Sequence, residues 1–185
     1  WLVFHLPYGV DVYSSINSQQ KSVMFWQHNN NQRFLALLKQ YHNVIQAIIT
    51  GHVHMDGFQY TTFASDNRTV IDSFVSSISP LFGNNPSYKY YRYYPNDFTL
   101  SDFSVYYLNL AAAALQWQQE YDFNKVYQPD CQHCLLVNGM KMLSAQGRLS
   151  YFYRYYYTLG TDQQPISDDK NWPYYCCGIA CQKSF

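Results

Sequence analysis

Three histidines follow two apolar segments that have the character of buried strands. His5 lies at the end of residues 1–6, and Gly51-His52-Val53-His54 comes directly after the β-branched run 44–50. Gly51 permits a backbone geometry that residues with side chains resist, and two histidines two positions apart can reach one polar centre. Neutral imidazole is a common ligand of zinc and similar metals. Because sites in α/β sheets form outside the carboxyl ends of strands, the three histidines are predicted to converge on metal.

The elements that must position these histidines have an α/β pattern. Residues 1–6 are apolar throughout, as in a strand buried on both faces. Residues 32–43 carry apolar side chains at helical spacing, and their predicted core face consists of Phe34, Leu37, Leu38 and Tyr41. The run 44–50 reads as a second buried strand. This strand–helix–strand order is typical of an α/β layer.

The middle of the chain predicts an antiparallel or mixed portion of sheet. Short β-prone runs at 58–64, 69–77 and 88–94 are separated by turn residues. The last of these runs is rich in tyrosine, and Lys89 and Arg92 within it are expected to protect an exposed strand edge.

The carboxyl-terminal part predicts mainly helix. Ser101-Asp102 can begin a helix, and a helical pattern runs over about 103–121, although 106–108 could equally be a last strand. Residues 135–157 again look helical, and residues 160–185 resemble a loop.

The composition excludes several classes of protein. Among 185 residues, 12 Lys and Arg balance 12 Asp and Glu, and charged residues make up 13% against about 25% in ordinary domains. This balance predicts no nucleic-acid groove. No apolar run reaches the ~18 residues of a transmembrane segment. Richness in Tyr, Asn and Gln with few charges suits an exported protein.

Five cysteines lie in the last third of the chain, at Cys131, Cys134, Cys176, Cys177 and Cys181. Oxidation in an exported protein would pair them as disulfides, with one left over and the connectivity open. The alternative is a zinc site that uses Cys131, His133 and Cys134 together with the later cysteines. Separately, Asn67-Arg68-Thr69 fits the acceptor triplet for N-glycosylation.

Several of these segments resemble one enzyme family. His5-Leu6-Pro7-Tyr8-Gly9 resembles the His-x-Pro-x-Gly segment of calcineurin-like metallophosphoesterases, and residues 51–58 resemble their Gly-His-x-His-x-Asp-x-Phe segment. That form is typical of the acid sphingomyelinase-like phosphodiesterases. Residues 31–41, 79–88 and 107–121 resemble further family segments in the same order, so the resemblance covers about residues 1–127.

The resemblance implies a fold and a metal centre. It implies the carboxyl-terminal half of a four-layer α/β/β/α sandwich over residues 1–100, followed by a helical, Cys-containing subdomain over 101–185. His5 and His52 would bind one ion of a pair of divalent metals, zinc or a similar ion, and His54 would bind the other. The family's Asp-x-His, Gly-Asp-x-x-Asp and Gly-Asn-His segments are not found here. No catalytic residue is therefore assigned, and the chain is expected to need an amino-terminal half as its partner and to be inactive alone.

Other residues have a weaker claim to the site. Asp56 could support the histidine pair through a hydrogen bond, or simply stabilise a turn. Trp26 and His28 follow the first motif and could touch substrate. Asn85 and Tyr88 could line the substrate pocket, although a plain turn is the favoured explanation for these two. His42 is expected on the surface.

The function implied is that of an exported, metal-dependent phosphodiester hydrolase. Its substrate would be a small-molecule phosphodiester, a phospholipid or a nucleotide. One alternative is an interaction module that keeps the fold without catalysis. A second alternative is an unrelated binding domain stabilised by disulfides or zinc.

Overall fold

The computed structural model describes residues 1–18 and 22–145, together with positions 155 and 158. The strands of this part are β1 (Leu2–Phe4), β2 (Val10–Asp11), β3 (Val23–Met24), β4 (Ile48–His54), β5 (Gly57–Thr62), β6 (Thr69–Ser76), β7 (Ser87–Tyr93), β8 (Leu100–Leu108) and β9 (Trp117–Asp122). The helices are α1 (Val12–Ser18), α2 (His28–Tyr41), α3 (Phe123–Tyr127) and α4 (Leu136–Ala145). None of these helices is long and apolar enough to cross a membrane.

A four-stranded mixed sheet carries the histidines. Its strand order is β1-β4-β6-β5, with β1 and β6 parallel to β4 and β5 antiparallel to β6. Parallel neighbours need a long crossover connection, and the segment that contains α2 provides it between β1 and β4. The predicted strand–helix–strand unit and the mixed sheet portion are therefore confirmed. An apolar cluster lies beneath this unit and contains Tyr8, Leu38, Ile48, Phe63 and Val70.

Two details of this unit differ from the prediction. β1 is an edge strand with one open face, because Val3 is 71% exposed, so the expectation that it is buried on both faces is wrong. The core face of α2 is also narrower than the spacing predicted. Leu38 is buried at 1% exposure, whereas Leu37 and Tyr41 are about half exposed. A helix that covers one sheet face buries only its central stripe.

A second, antiparallel sheet has the order β7-β8-β9. The helix expected over 103–121 is therefore wrong, and the alternative of a strand at 106–108 is confirmed as the end of β8. β8 buries Phe103 and Val105 and leaves Asp102 to pair with Arg92 on β7 at 2.9 Å. Cross-strand partners of this kind stabilise a strand, so long-range pairing overrides the local helical spacing.

Helices α3 and α4 pack against the second sheet and complete the larger core. This core includes Phe103, Phe123, Leu136, Met140 and Leu143. α4 lies within the helix predicted over 135–157, and apart from position 155 the part of that prediction beyond α4 lies outside the described residues. The fold is thus α/β, while the four-layer arrangement and the Cys-containing subdomain remain predictions.

One disulfide is present among the described residues, between two of the cysteines whose pairing the sequence left open. Cys131 and Cys134 form a disulfide, so their sulfurs are joined to each other. The other three cysteines lie outside the described residues.

His42 is buried, with its side chain 10% exposed, so its expected place on the surface is wrong. It follows α2, packs on Phe63 and contacts Asp66 through Nε2 at 2.6 Å. This hydrogen bond is the main cause that raises the pKa of His42 and lowers the pKa of Asp66.

The His42–Asp66 pair predicts pH-dependent stability. The contribution of His42 is complete below its ordinary pKa of 6.5 and is lost as the pH rises through its raised pKa. That of Asp66 is complete above its ordinary pKa of 3.8 and is lost as the pH falls through its lowered pKa. We expect His42→Gln to destabilise the protein most between pH 3.8 and pH 6.5, where both contributions are complete. Urea unfolding at several pH values measures this difference. A deficit that stays constant from pH 5 to about pH 9 would contradict the pairing.

Candidate metal centre

His5 and His52 meet at the carboxyl ends of β1 and β4. His5 Nε2 and His52 Nδ1 are 3.3 Å apart, and the two rings are nearly perpendicular with centroids 5.2 Å apart. The backbone joins the strand ends as well, because Gly51 donates its N–H to the carbonyl of His5 at 3.0 Å. The structure therefore brings His5 and His52 together, as the sequence predicts.

Strained backbone places the second and third histidines. His52 and His54 have φ angles of 65° and 66°, in the left-handed region that side chains disfavour. Gly51 is not among the glycines with positive φ, so the unusual geometry expected there belongs to the histidines themselves. The pairing of β4 with β6 is irregular between Thr50 and His54. Strain of this kind costs about 1–3 kcal/mol per residue and is concentrated at functional sites.

His54 has a buried nitrogen that is free to bind a ligand. Its Nδ1 has no hydrogen-bond partner among the described residues, and its ring contacts Phe82 at 5.6 Å between centroids. A buried polar atom without a partner costs about 1–3 kcal/mol, which a bound ligand would recover. Asn84 contacts the backbone of the same residue, since its Nδ2 lies 3.4 Å from the His54 carbonyl.

The donor atoms fit a metal of the zinc type. Two nitrogens that each lie about 2.0–2.1 Å from a tetrahedral ion are about 3.3 Å apart, and His5 Nε2 and His52 Nδ1 have that separation. In the described parts of the chain, however, no three His, Cys, Asp or Glu side chains form one group that could hold an ion. The structure thus brings His5 and His52 together and leaves His54 as a separate donor.

Asp56 belongs to a buried network behind the histidines. Its carboxylate forms an ion pair with Lys89 Nζ at 2.7 Å and accepts a hydrogen bond from Tyr121 Oη at 2.6 Å. The Asp56 and Lys89 side chains are both fully buried. Burial raises the pKa of Asp56 and lowers the pKa of Lys89, while their mutual attraction opposes both shifts. Asp56 contacts these two residues of the second sheet, and a direct bond from it to a histidine remains a prediction.

A second buried carboxyl supports β4 from β6. Asp72 accepts hydrogen bonds from Thr50 Oγ1 at 2.7 Å and from Gln59 Nε2 at 2.9 Å. Burial raises the pKa of Asp72 to about 7, and these hydrogen bonds oppose the shift. Thr50 comes two residues before His52, so this network fixes the strand just before the strained segment begins.

The remaining candidate residues have contacts of their own. Trp26 donates to the Leu6 carbonyl at 3.1 Å and packs on Phe4 and Phe34, while His28 is exposed at the start of α2. Asn85 is nearly buried, and its Oδ1 accepts a hydrogen bond from the Leu110 N–H at 3.0 Å. Tyr88 stacks on Tyr106 and meets Trp117 edge-on. A role in substrate binding remains a prediction for His28, Asn85 and Tyr88.

Sequence reasoning missed several residues that surround the histidines. Phe25 contacts the ring of His52 at 5.9 Å, and Phe82 contacts His54. Asn84, in the same Gly-Asn-Asn-Pro turn as the predicted Asn85, also contacts His54. The expectation that Lys89 protects an exposed strand edge is wrong, because its side chain is fully buried against Asp56, a partner that no local signal reveals.

Comparisons with known proteins agree with the resemblance seen in the motifs. The chain is 24% identical to the cyclic GMP-AMP phosphodiesterase SMPDL3A of Rattus norvegicus, over 97% of this chain and 42% of the relative. It is 28% identical to sphingomyelinase phosphodiesterase D of Dictyostelium discoideum, over 58% of this chain and 26% of the relative. For acid sphingomyelinase-like phosphodiesterase 3b of Mus musculus the identity is 22%, over 91% of this chain and 39% of the relative. No protein-family model matches the chain.

These matches are to phosphodiesterases. At low identity, the chain is thus similar to the acid sphingomyelinase-like phosphodiesterases that its motifs resemble. It spans about two fifths of the length of three of the SMPDL3A relatives that it matches.

Proposed function

We propose that this chain supplies His5, His52 and His54 to a centre of two divalent ions in a phosphodiester hydrolase. The main support is the 3.3 Å approach of His5 Nε2 to His52 Nδ1 at the carboxyl ends of two parallel strands. Imidazole ligands favour zinc among the common divalent ions. When bound, two such ions hold a phosphoryl group, lower the pKa of water and stabilise the charge of an in-line displacement.

The chain's own residues hold and orient the centre. His5 and His52, whose facing nitrogens are 3.3 Å apart, would hold one ion, and His54 would offer its unpartnered Nδ1 to the other. Phe25 contacts the ring of His52, and Phe82 contacts the ring of His54.

The proposed enzyme is larger than this chain. The three histidines leave other ligand positions unfilled, and a bridging carboxylate would come from an amino-terminal half that acts as the partner of these residues. We expect residues 1–185 alone to be inactive for this reason. The substrate would be a small phosphodiester, either a phospholipid or a nucleotide, as the names of the relatives suggest. Export is part of the same proposal.

Hydrolysis by the full-length protein tests this function. We expect turnover of bis(p-nitrophenyl) phosphate that a chelator abolishes and that added zinc restores. Sphingomyelin and a cyclic dinucleotide, compared at equal concentration, would then separate lipid from nucleotide preference. A protein that binds metal at these histidines but hydrolyses none of the three compounds would instead be an interaction module.

A further inference from the structure

One sequence triplet is not used by the proposed metal centre. Asn67-Arg68-Thr69 matches the N-glycosylation acceptor Asn-x-Ser/Thr, in which the middle residue is not proline. One other segment of the chain has Asn followed two residues later by Ser or Thr. This segment is Asn85-Pro86-Ser87, and its middle proline blocks modification. The 185 residues therefore offer a single usable acceptor.

The backbone presents Asn67 to solvent. It lies in the turn that connects β5 to β6, is exposed, and has a φ angle of 58°. Among the described residues, its carboxamide forms no hydrogen bond, since the bonds of this turn are made by its neighbours Asp66 and Arg68. A carboxamide that stabilises nothing can be modified without loss to the fold. Asn85 is the opposite case, because it is nearly buried and its Oδ1 accepts a hydrogen bond.

The surface beside Asn67 has room for a sugar. Asn67, Arg68 and Thr69 line one side of a cavity of about 490 Å³, and Asp97, Asn138 and Lys141 line another part of it. These groups are polar, so they can form hydrogen bonds with sugar hydroxyls.

The position leaves the metal centre clear. Thr69 begins β6, whereas His54 ends β4, which runs parallel to β6. Asn67 is therefore at the opposite end of the sheet from the histidines, about 20 Å away for a strand of seven residues. A glycan at Asn67 would cover the far end of the sheet without obstructing the site.

We infer that Asn67 is an N-glycan acceptor, an inference that rests on the export included in the proposed function. In the modification, Asn67 Nδ2 forms a bond to C1 of an oligosaccharide and loses one proton. The donor is a polyprenyl pyrophosphate-linked oligosaccharide, and its polyprenyl pyrophosphate leaves as that bond forms.

Peptide-resolved mass spectrometry tests the inference. The full-length protein would be directed into endoplasmic reticulum microsomes by an appended signal sequence, and its protease-protected fraction would be deglycosylated enzymatically in ¹⁸O water. We expect conversion of Asn67 to ¹⁸O-labelled Asp in the tryptic peptide 40–68. The conversion should be lost in Thr69→Ala and retained in Thr69→Ser, which keeps the hydroxyl that the acceptor needs. An unlabelled Asn67 in the protected wild-type protein would overturn the inference. Because hydrolysis is not measured, a failure of the proposed enzymatic function would leave this result unaffected.

Discussion

Replacing His52 by Ala in the full-length protein is expected to remove about one of two bound metal ions and to abolish most phosphodiesterase activity. His52 Nδ1 lies 3.3 Å from His5 Nε2, so the variant leaves His5 as a lone imidazole at that ion. Groups that only contact metal ligands already change affinity or activity by about 10–100-fold. We therefore expect a loss of at least about 100-fold for the ligand itself. Metal content after dialysis, measured by inductively coupled plasma mass spectrometry, and hydrolysis of bis(p-nitrophenyl) phosphate check the two effects.

Double variants distinguish one shared ion from two separate ones. If His5 and His52 hold the same ion, His5→Ala combined with His52→Ala should lose no more metal than either change alone. Residues that act as a unit give such non-additive effects. His52→Ala combined with His54→Ala should instead remove both ions, because in the proposed centre His54 binds the other ion. Additive loss of metal in the first pair would contradict the shared ion.

His133→Ala is a matched control for these variants. His133 is exposed, in the loop between Cys131 and Cys134, and no contact joins it to the strand ends. It should keep the metal content and activity of the parent protein. Loss of metal in His133→Ala with retention in His52→Ala would favour the zinc-stabilised binding domain over the phosphodiesterase.

The regions that could be predicted from sequence are those in which the local pattern and the final packing agree. Apolar spacing of 3.6 residues identified α2, and the short β-prone runs identified β5, β6 and β7. The helical segment between β1 and β4 also indicates a parallel pair, since parallel strands need a long crossover connection. His5 and His52 could be placed together for the same reason, since each follows a core strand in one parallel sheet.

The regions that could not be predicted depend on contacts between distant parts of the chain. β8 has a helical spacing, yet it pairs with β7 on one side and β9 on the other. Lys89 looks like an edge residue in its own segment, but its partner Asp56 is 33 positions earlier, in the turn between β4 and β5 of the other sheet. The positive φ angles of His52 and His54 could not be predicted from the local sequence either, because glycine is the residue that adopts that conformation without steric cost.

Replacing Lys89 by Met is expected to lower the free energy of unfolding by about 3–5 kcal/mol, the usual cost of leaving a buried charge without its partner. Lys89 Nζ contacts Asp56 at 2.7 Å and the Phe74 carbonyl at 2.7 Å, and it lies 4.2 Å from the centroid of the Phe103 ring. The variant keeps the apolar stem but leaves the Asp56 carboxylate buried with Tyr121 as its remaining donor. Urea unfolding followed by circular dichroism measures the difference.

Arg92→Met is the matched control on the same strand. Arg92 pairs with Asp102 at 2.9 Å, but its side chain is 42% exposed, and ion pairs in water contribute only about 0–1 kcal/mol. Equal losses in the free energy of unfolding for Lys89→Met and Arg92→Met would show that the buried pair contributes no more to stability than the exposed pair.

A double variant separates the cost of an unpaired charge from the loss of an attraction. Lys89→Met combined with Asp56→Leu removes both charges, so it should recover much of the stability that Lys89→Met loses, because apolar replacement of a buried pair is often neutral.

The same double variant tests whether the Asp56–Lys89 pair positions the metal ligand His54. Asp56 follows His54 by two residues in the turn between β4 and β5, and Lys89 ties that turn to the second sheet. If the pair positions His54, the double variant should fold stably yet bind the second metal ion more weakly, by about the 10–100-fold typical of groups that orient metal ligands. Full metal affinity in the stable double variant would limit the role of the pair to joining the two sheets.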